Sequence, residues 1–324
     1  MKKIAFLCPY FGKLPDHIQL WLNSCEMNPD DFFFLITDDE TSELKIPKNV
    51  RVIKQTFSEF SKKVQSKFDF TISLNSIKKI GDFKPALGYI YEDLIKDFMA
   101  WGNVDVADEI YGNINKFISD DLIKKYDKIM LLGHMSVYKN TKENNRRFMS
   151  DSNADFNYKD VYSSSQFFNF EEVATGSIAR IYRFNDYKMK QLEESFADIS
   201  CLNYRFKREY CKKNFRFAYT DDSKYKSIYA WENGKTFGYF LKQGKIIRKE
   251  FAYVHFKRRK MSIEVPLDSS KYLIVPNSFI PYSKVTVAML NDFGKDKLSY
   301  TAKRKFRDII DRLKNKIESV KNIV

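Results

Sequence analysis

Glycine and proline are scarce in this chain, at 11 and 8 of 324 residues. That excludes a collagen-like repeat and a Pro/Gly-rich low-complexity chain. Cysteine is scarcer. Cys8, Cys25, Cys201 and Cys211 form no C-x-x-C pair, which argues against a zinc knuckle or a disulfide scaffold and fits a reducing compartment. No stretch approaches the ~18 to 20 apolar residues of a membrane span. The opening MKKIAFLCPYFGKLP has neither the long apolar region nor the small-residue cleavage site of a signal peptide, because Pro9 interrupts it. It reads instead as a first strand. Acidic residues are outnumbered, leaving a formal net charge of +14. Such an excess is either a solvated surface or a preference for anionic partners: nucleic acid, anionic lipid or phosphorylated substrates.

What is present is apolar and aromatic. Hydrophobic residues make up 44% and aromatics 16%, enough for a sizeable core in one large domain or two smaller ones. Residues 3–8 read as a buried strand and 16–28 as a helix, with Asp16 as its cap after Pro15. Residues 32–37 form a second strand ending at Asp38-Asp39, and 50–55 a third. Strand, helix, strand, strand is the opening of a nucleotide-binding α/β unit with a parallel sheet. Further along, helices are expected at 57–68, from Pro85 to Asp97, and at 112–126. Strands are expected at 98–104 and 127–133. Periodicity weakens over 150–180, where an acceptor side is expected. Residues 302–324 place Phe306, Ile309, Ile310, Leu313, Ile317 and Val320 on one face of a basic helix. That helix either lies on an anionic membrane surface or packs on the domain. These readings divide the chain into a catalytic domain, 1–265, and a C-terminal extension, 266–324.

Ligands of open α/β sheets bind at the carboxyl ends of the strands. The loops there carry Pro9-Tyr10-Phe11, Asp38-Asp39 and Asp105-Val106-Ala107-Asp108. An aromatic loop stacks on a base, a carboxylate after the second strand accepts from base or ribose, and Asp105 with Asp108 can hold a divalent cation. Far away, 251-FAYVHFKRRKM-261 sets His255, a good metal ligand when neutral, before Lys257, Arg258 and Arg259, which can neutralise a diphosphate. Each pattern also has an ordinary structural reading, as a capped helix start or a solvated basic cluster.

The segments YFGKLPDHIQLWLNSCEMNPDDFFFLITDD, GDFKPALGYIYEDLI, WGNVDVADEIYGNI, KYDKIMLLGHMSVYKNTKENNRR and YVHFKRRKM, in this order, resemble bacterial glycosyltransferases of capsule and surface-polysaccharide biosynthesis. The likeness covers roughly residues 1–150 and 250–262. It implies a GT-A fold, a Rossmann-like mixed sheet flanked by helices with a helical tail. It also implies transfer of a sugar, a hexose, from a UDP-sugar to a saccharide acceptor with Mn²⁺ or Mg²⁺. By position Asp105 matches the first metal carboxylate and His255 the late histidine. Lys84 would lie near the donor and His134 would face donor or acceptor. Glu171 and Glu172 stand where that family has an acidic pair, one of which would serve as base in an inverting reaction. The family's W-G-x-x-D-x-D is altered here: Ala107 fills the second acidic place and Asp108 comes one residue late. That leaves room for a fold that binds sugar nucleotide without turnover. The expected setting is cytoplasmic, with peripheral attachment at the inner membrane face and a lipid-linked acceptor as one candidate. The competing class is a basic, aromatic-rich RNA-binding protein. No RRM signature is present and the aromatics sit in apolar runs, so no nucleic acid is expected.

Overall fold

A computed structural model of the protein describes residues 2–304, 306 and 310. The apolar runs become strands, the first, second and fourth buried on both faces as inner parallel strands require and the third partly exposed at the sheet edge. They are β1 (Lys2–Pro9), β2 (Phe32–Thr37), β3 (Val50–Lys54) and β4 (Phe98–Val104), close to the expected bounds. Their order in the sheet is β3-β2-β1-β4, all parallel. The chain therefore builds outward from β1 on one side, then returns to lay β4 on the other. The carboxyl ends of β1 and β4 flank that reversal.

Beyond β4 the sheet is not parallel. A short β5 (Glu109–Tyr111) leaves it. Next come β6 (Lys128–Ile129) and β7 (Met135–Lys139), and β7 pairs antiparallel with both β4 and β6. A two-residue β8 (Met189–Lys190) completes seven strands. The expected strand 127–133 shrinks to β6 because Met130 takes a left-handed conformation (φ 65°). The buried Lys128 ammonium holds the bend, donating to Met130 O at 2.6 Å and Ser136 Oγ at 2.7 Å. Burial lowers its pKa to about 7.

Helix α1 (Ile18–Glu26) begins after His17 with no side-chain cap, so Asp16 does not cap it. Helix α2 (Phe57–Gln65) starts with a capping box between Thr56 and Glu59. The long helix expected from Pro85 is broken into turns at Lys84–Ala86, Leu87–Ile90 and Glu92–Ile95, with Tyr91 (ψ 34°) at the break. Residues 112–126 likewise give two short helices, Ile114–Phe117 and Asp120–Lys125, the second capped by Ser119. In both places burial of scattered apolar side chains prevails over helix continuity.

The second half is β-rich. Strands β9 (Phe196–Asp198), β10 (Glu209–Cys211), β11 (Phe217–Tyr219), β12 (Lys226–Glu232), β13 (Lys235–Lys242), β14 (Lys245–Phe251) and β15 (Tyr253–His255) lead to β16 (Ser262–Ile263), β17 (Lys271–Val275) and β18 (Ser278–Pro281). A six-stranded sheet of order β14-β13-β12-β17-β18-β16 runs across residue 265, since β12 pairs with β17. A three-stranded sheet of order β5-β15-β9 ties this half to the first. Strand alternation sends Phe6, Cys8, Phe33 and Leu35 into one core with α1 and the second half. Ala5, Leu7, Phe34 and Ile36 enter another, with Phe83, Leu87, Tyr162 and Tyr182. The tail helix lies largely outside the described residues. Among the described residues no helix is long and apolar enough to cross a membrane.

Candidate active site

A cleft of about 850 Å³ opens at the carboxyl ends of β1 and β4, a volume suited to a small-molecule ligand. It brings together Pro9, Tyr10, Phe11, Lys84, Asp105, Asp108, His134, Glu171, Glu172, His255, Lys257 and Arg258 from segments up to 249 positions apart. Arg259 is one expected site residue that does not line it, and the others are Asp38 and Asp39. These two brace its rim: Gly12 N donates to Asp38 Oδ1 and Leu14 N to Asp39 Oδ2, each at 2.7 Å. The Phe11 ring is committed to the core against Phe57 and Phe60, so Tyr10 is the aromatic left half-exposed in that loop.

Asp105 ends β4. Its carboxylate pairs with Lys84 and stands 3.6 Å from His255 Nε2. Burial works to raise the carboxyl, but Lys84 and His255 outweigh it and hold it below the ordinary range. Lys84 also donates to Gly133 O at 3.0 Å. The next three residues form a tight turn closed by Asp108 N on Asp105 O (3.2 Å), with Ala107 left-handed at φ 59°. The Ala107 methyl is packed in the core and its carbonyl receives His17 Nε2 at 2.7 Å. A carboxylate at position 107 would therefore point into apolar packing. Asp108 is the second acid of this turn that reaches the cleft.

Registry in the three-stranded sheet completes the site. His255 lies opposite Glu109 on one side and Asp198 on the other. Its Nδ1 is 2.9 Å from Asp198 Oδ1, so Asp198 fixes the ring and leaves Nε2 turned to Asp105. Lys257 Nζ pairs with Asp198 Oδ2 at 2.8 Å and with Glu209. Asp198 itself is buried, yet the Lys257 ammonium and His255 pull its carboxyl well below the usual range. The His134 ring stacks on His255 at 4.5 Å, and its Nδ1 meets Tyr253 OH at 3.1 Å. His134 precedes β7 rather than following a strand. Burial lowers it to about 3, keeping it neutral, and its Nε2 has no hydrogen-bond partner. One ligand atom each from His134, Asp198 and His255 lies within 4.8 Å of the others, so this cluster could hold a metal ion.

Sequence reading missed Asp198 and Glu109. Neither sits in a motif, and only strand pairing puts Asp198 beside a residue 57 positions away. It also misassigned Arg259. That side chain is buried, donating to the carbonyls of Ser200, Asn203 and Tyr204. Lys257 and Arg258, both left-handed (φ 48° and 54°), turn the chain so that they line the cleft.

Glu171 and Glu172 line the cleft beside Gly133, whose carbonyl accepts from Lys84. Glu171 fits because two glycines face it: a Cβ on Gly81 would come within 2.6 Å of Glu171 Oε1, and one on Gly133 within 2.3 Å of its Cγ. Burial pushes its carboxyl up to about 8, and its Oε2 has no hydrogen-bond partner. Glu172 accepts from Gly133 N at 3.1 Å. The loop bearing both is moored by a buried ion pair. Lys79 bonds Asp82 at 2.8 Å, and Asp82 accepts the Phe168 and Phe170 amides.

Fold and cleft together define a mixed α/β protein with a charged cleft at the strand-order reversal of its main sheet. Residues 6–283 match the family described as "Family of unknown function (DUF6625)", and the chain belongs to it. No curated protein matches the sequence.

Proposed function

We propose that this protein is a glycosyltransferase of GT-A type that moves a hexose from a UDP-sugar to a saccharide hydroxyl. The observation that carries the reading is the convergence of Asp105 and His255 with Lys84 and Lys257 in one cleft, at the carboxyl edge of parallel strands. Such an edge receives nucleotides, and paired carboxylate, imidazole and ammonium groups suit a diphosphate.

In this reading Tyr10 lies along the base, while Lys84, Lys257 and Arg258 face the diphosphate. Their charges stabilise UDP as it leaves. Glu171, when ionised, takes the proton of the acceptor hydroxyl. The acceptor oxygen then bonds to the anomeric carbon as the bond to the diphosphate oxygen breaks.

The donors fit a divalent ion. His255 Nε2 and Asp105 Oδ2 face one another, Asp198 orients the imidazole, and His134 Nε2 is unpartnered. A mixed imidazole and carboxylate set suits Mn²⁺ better than Mg²⁺. When bound, the ion would act as a Lewis acid on the diphosphate. Lys84, already seated on Asp105, supports a second mode in which ammonium groups alone hold the diphosphate. Calorimetric titration with UDP, once with Mn²⁺ and once with EDTA, tests both. Binding only with Mn²⁺ supports the metal site, and binding in EDTA supports the ammonium mode. No binding in either sinks the UDP assignment.

A further inference from the structure

Among the described residues strands β10 and β11 pair only with each other, apart from one bridge between Ile199 and Arg208 at their base. The hairpin stands at the cleft mouth. Phe215 and Phe217 line the same cleft as His255 and Glu172. Phe217 is 50% exposed, with Lys257 Nζ 5.5 Å from its ring centroid. Phe215 sits at the tip in a left-handed conformation (φ 63°) that bulky residues avoid. Its ring is held there by Arg183, 3.7 Å from the centroid, and by Arg180 at 4.8 Å. Arg183 and, on the hairpin itself, Lys212, Lys213 and Arg216 are all exposed. Among the described residues none of these four has a carboxylate within ion-pair distance. Phe215 packs partly buried on the cluster of Leu131, Leu132 and Val173, but the open side of Phe217 and the exposed cations leave the hairpin arranged for something outside the protein.

We propose that this hairpin is the acceptor subsite and that it takes an anionic saccharide, a sugar chain bearing phosphate. The inference rests on the glycosyltransferase reading for the word acceptor, but not for the ligand chemistry. Aromatic faces receive the apolar C–H faces of sugar rings. Exposed guanidinium and ammonium groups supply charge-assisted hydrogen bonds to phosphate. A ring seated on Phe217 lies within the cleft that holds Glu171, where its hydroxyl must be for transfer. A longer nucleic acid is disfavoured because Phe217 lies in the lining of the cleft.

The test uses the full chain and five probes in calorimetry: mannopentaose, its terminal 6-phosphate, inorganic phosphate, UDP and a 20-nucleotide RNA. The phosphorylated pentasaccharide is expected to bind about tenfold tighter than the neutral one, with the preference eroding in high salt. A Lys213→Ala/Arg216→Ala variant should lose that preference while still binding the neutral sugar. Phe217→Ala should weaken both sugars about tenfold, the scale of a lost stacking contact. UDP affinity should stay within about twofold in the Lys213→Ala/Arg216→Ala variant, which serves as the control; Phe217→Ala does not serve so, because its ring lies 5.5 Å from Lys257 Nζ. The proposal is overturned if the two pentasaccharides bind equally or not at all. It is also overturned if inorganic phosphate binds as tightly as the phosphorylated sugar, or if a 20-nucleotide RNA outcompetes both sugars. Intact sugar preference without any UDP binding would instead defeat the glycosyltransferase reading and leave the saccharide surface standing.

Discussion

His255 and Asp198 are bonded at 2.9 Å through Nδ1 and Oδ1, although 57 positions separate them in the chain. The pairing is set by parallel registry of β15 on β9. It makes Asp198 the residue that aims His255 at Asp105, and a carboxylate behind a ligating histidine governs metal affinity. Asp198→Asn should weaken Mn²⁺ binding by about 10 to 100-fold. It should also lower the melting temperature, because Lys257 keeps only Glu209. Mn²⁺ titration followed by electron paramagnetic resonance checks the first, and an affinity within threefold of wild type refutes the orienting role.

Glu171 should make stability fall with rising pH. The folded protein keeps a proton on this carboxyl up to about 8, whereas the ordinary value is 4.5. Between those values the native state binds more protons than the unfolded chain, so stability is lost as pH rises through that window. Glu171→Gln removes the effect, and its gain over wild type should be larger at pH 8 than at pH 5, by a few kcal/mol. Urea unfolding at the two pH values measures it. Equal gains would mean that Glu171 is ionised in the folded protein.

Ala107→Asp would rebuild the D-x-D pattern yet should not create a better site. The methyl at 107 is in the core, so the new carboxylate would be buried without a partner at a cost of several kcal/mol. Ala107→Gly keeps the left-handed turn and should change stability by less than about 1 kcal/mol. Thermal unfolding of the two variants compares them. A stable Asp variant with tighter Mn²⁺ binding would show that the turn reorients.

Asp82→Asn should loosen the loop that carries Glu171. Breaking a buried ion pair by removing one charge costs about 3 to 5 kcal/mol. The Phe168 and Phe170 amides, which now donate to Asp82, should lose hydrogen-exchange protection ahead of the central strands. Unchanged protection at those two amides would show that the loop is held by its aromatic contacts instead.

Much of the site was legible wherever the chemistry is local. The loops after β1 and β4, the Lys84 segment and the 251–261 run all proved to line one cleft, because strand ends are read from apolar runs. Roles were less legible. Phe11, Asp38, Asp39 and Arg259 carry the right chemistry in the right loops, but the first is core, the next two brace a rim and the last is buried among carbonyls. The β-rich half went unread: its short strands leave weak periodicity, and its pairings join distant segments.

By itself the sequence determined the first four strands, the strand-end loops, the basic balance and the absence of any metal-type cysteine pattern. These follow from period, run length and composition, which are properties of neighbouring residues. Only the tertiary structure decided that β7 runs antiparallel, that Asp198 stands behind His255, that Asp108 rather than position 107 reaches the cleft, and that Glu171 is buried against two glycines. Each of these depends on strand registry or on contact between segments far apart in the chain. Such contacts are selected by the packing of the whole core, and no local pattern encodes them.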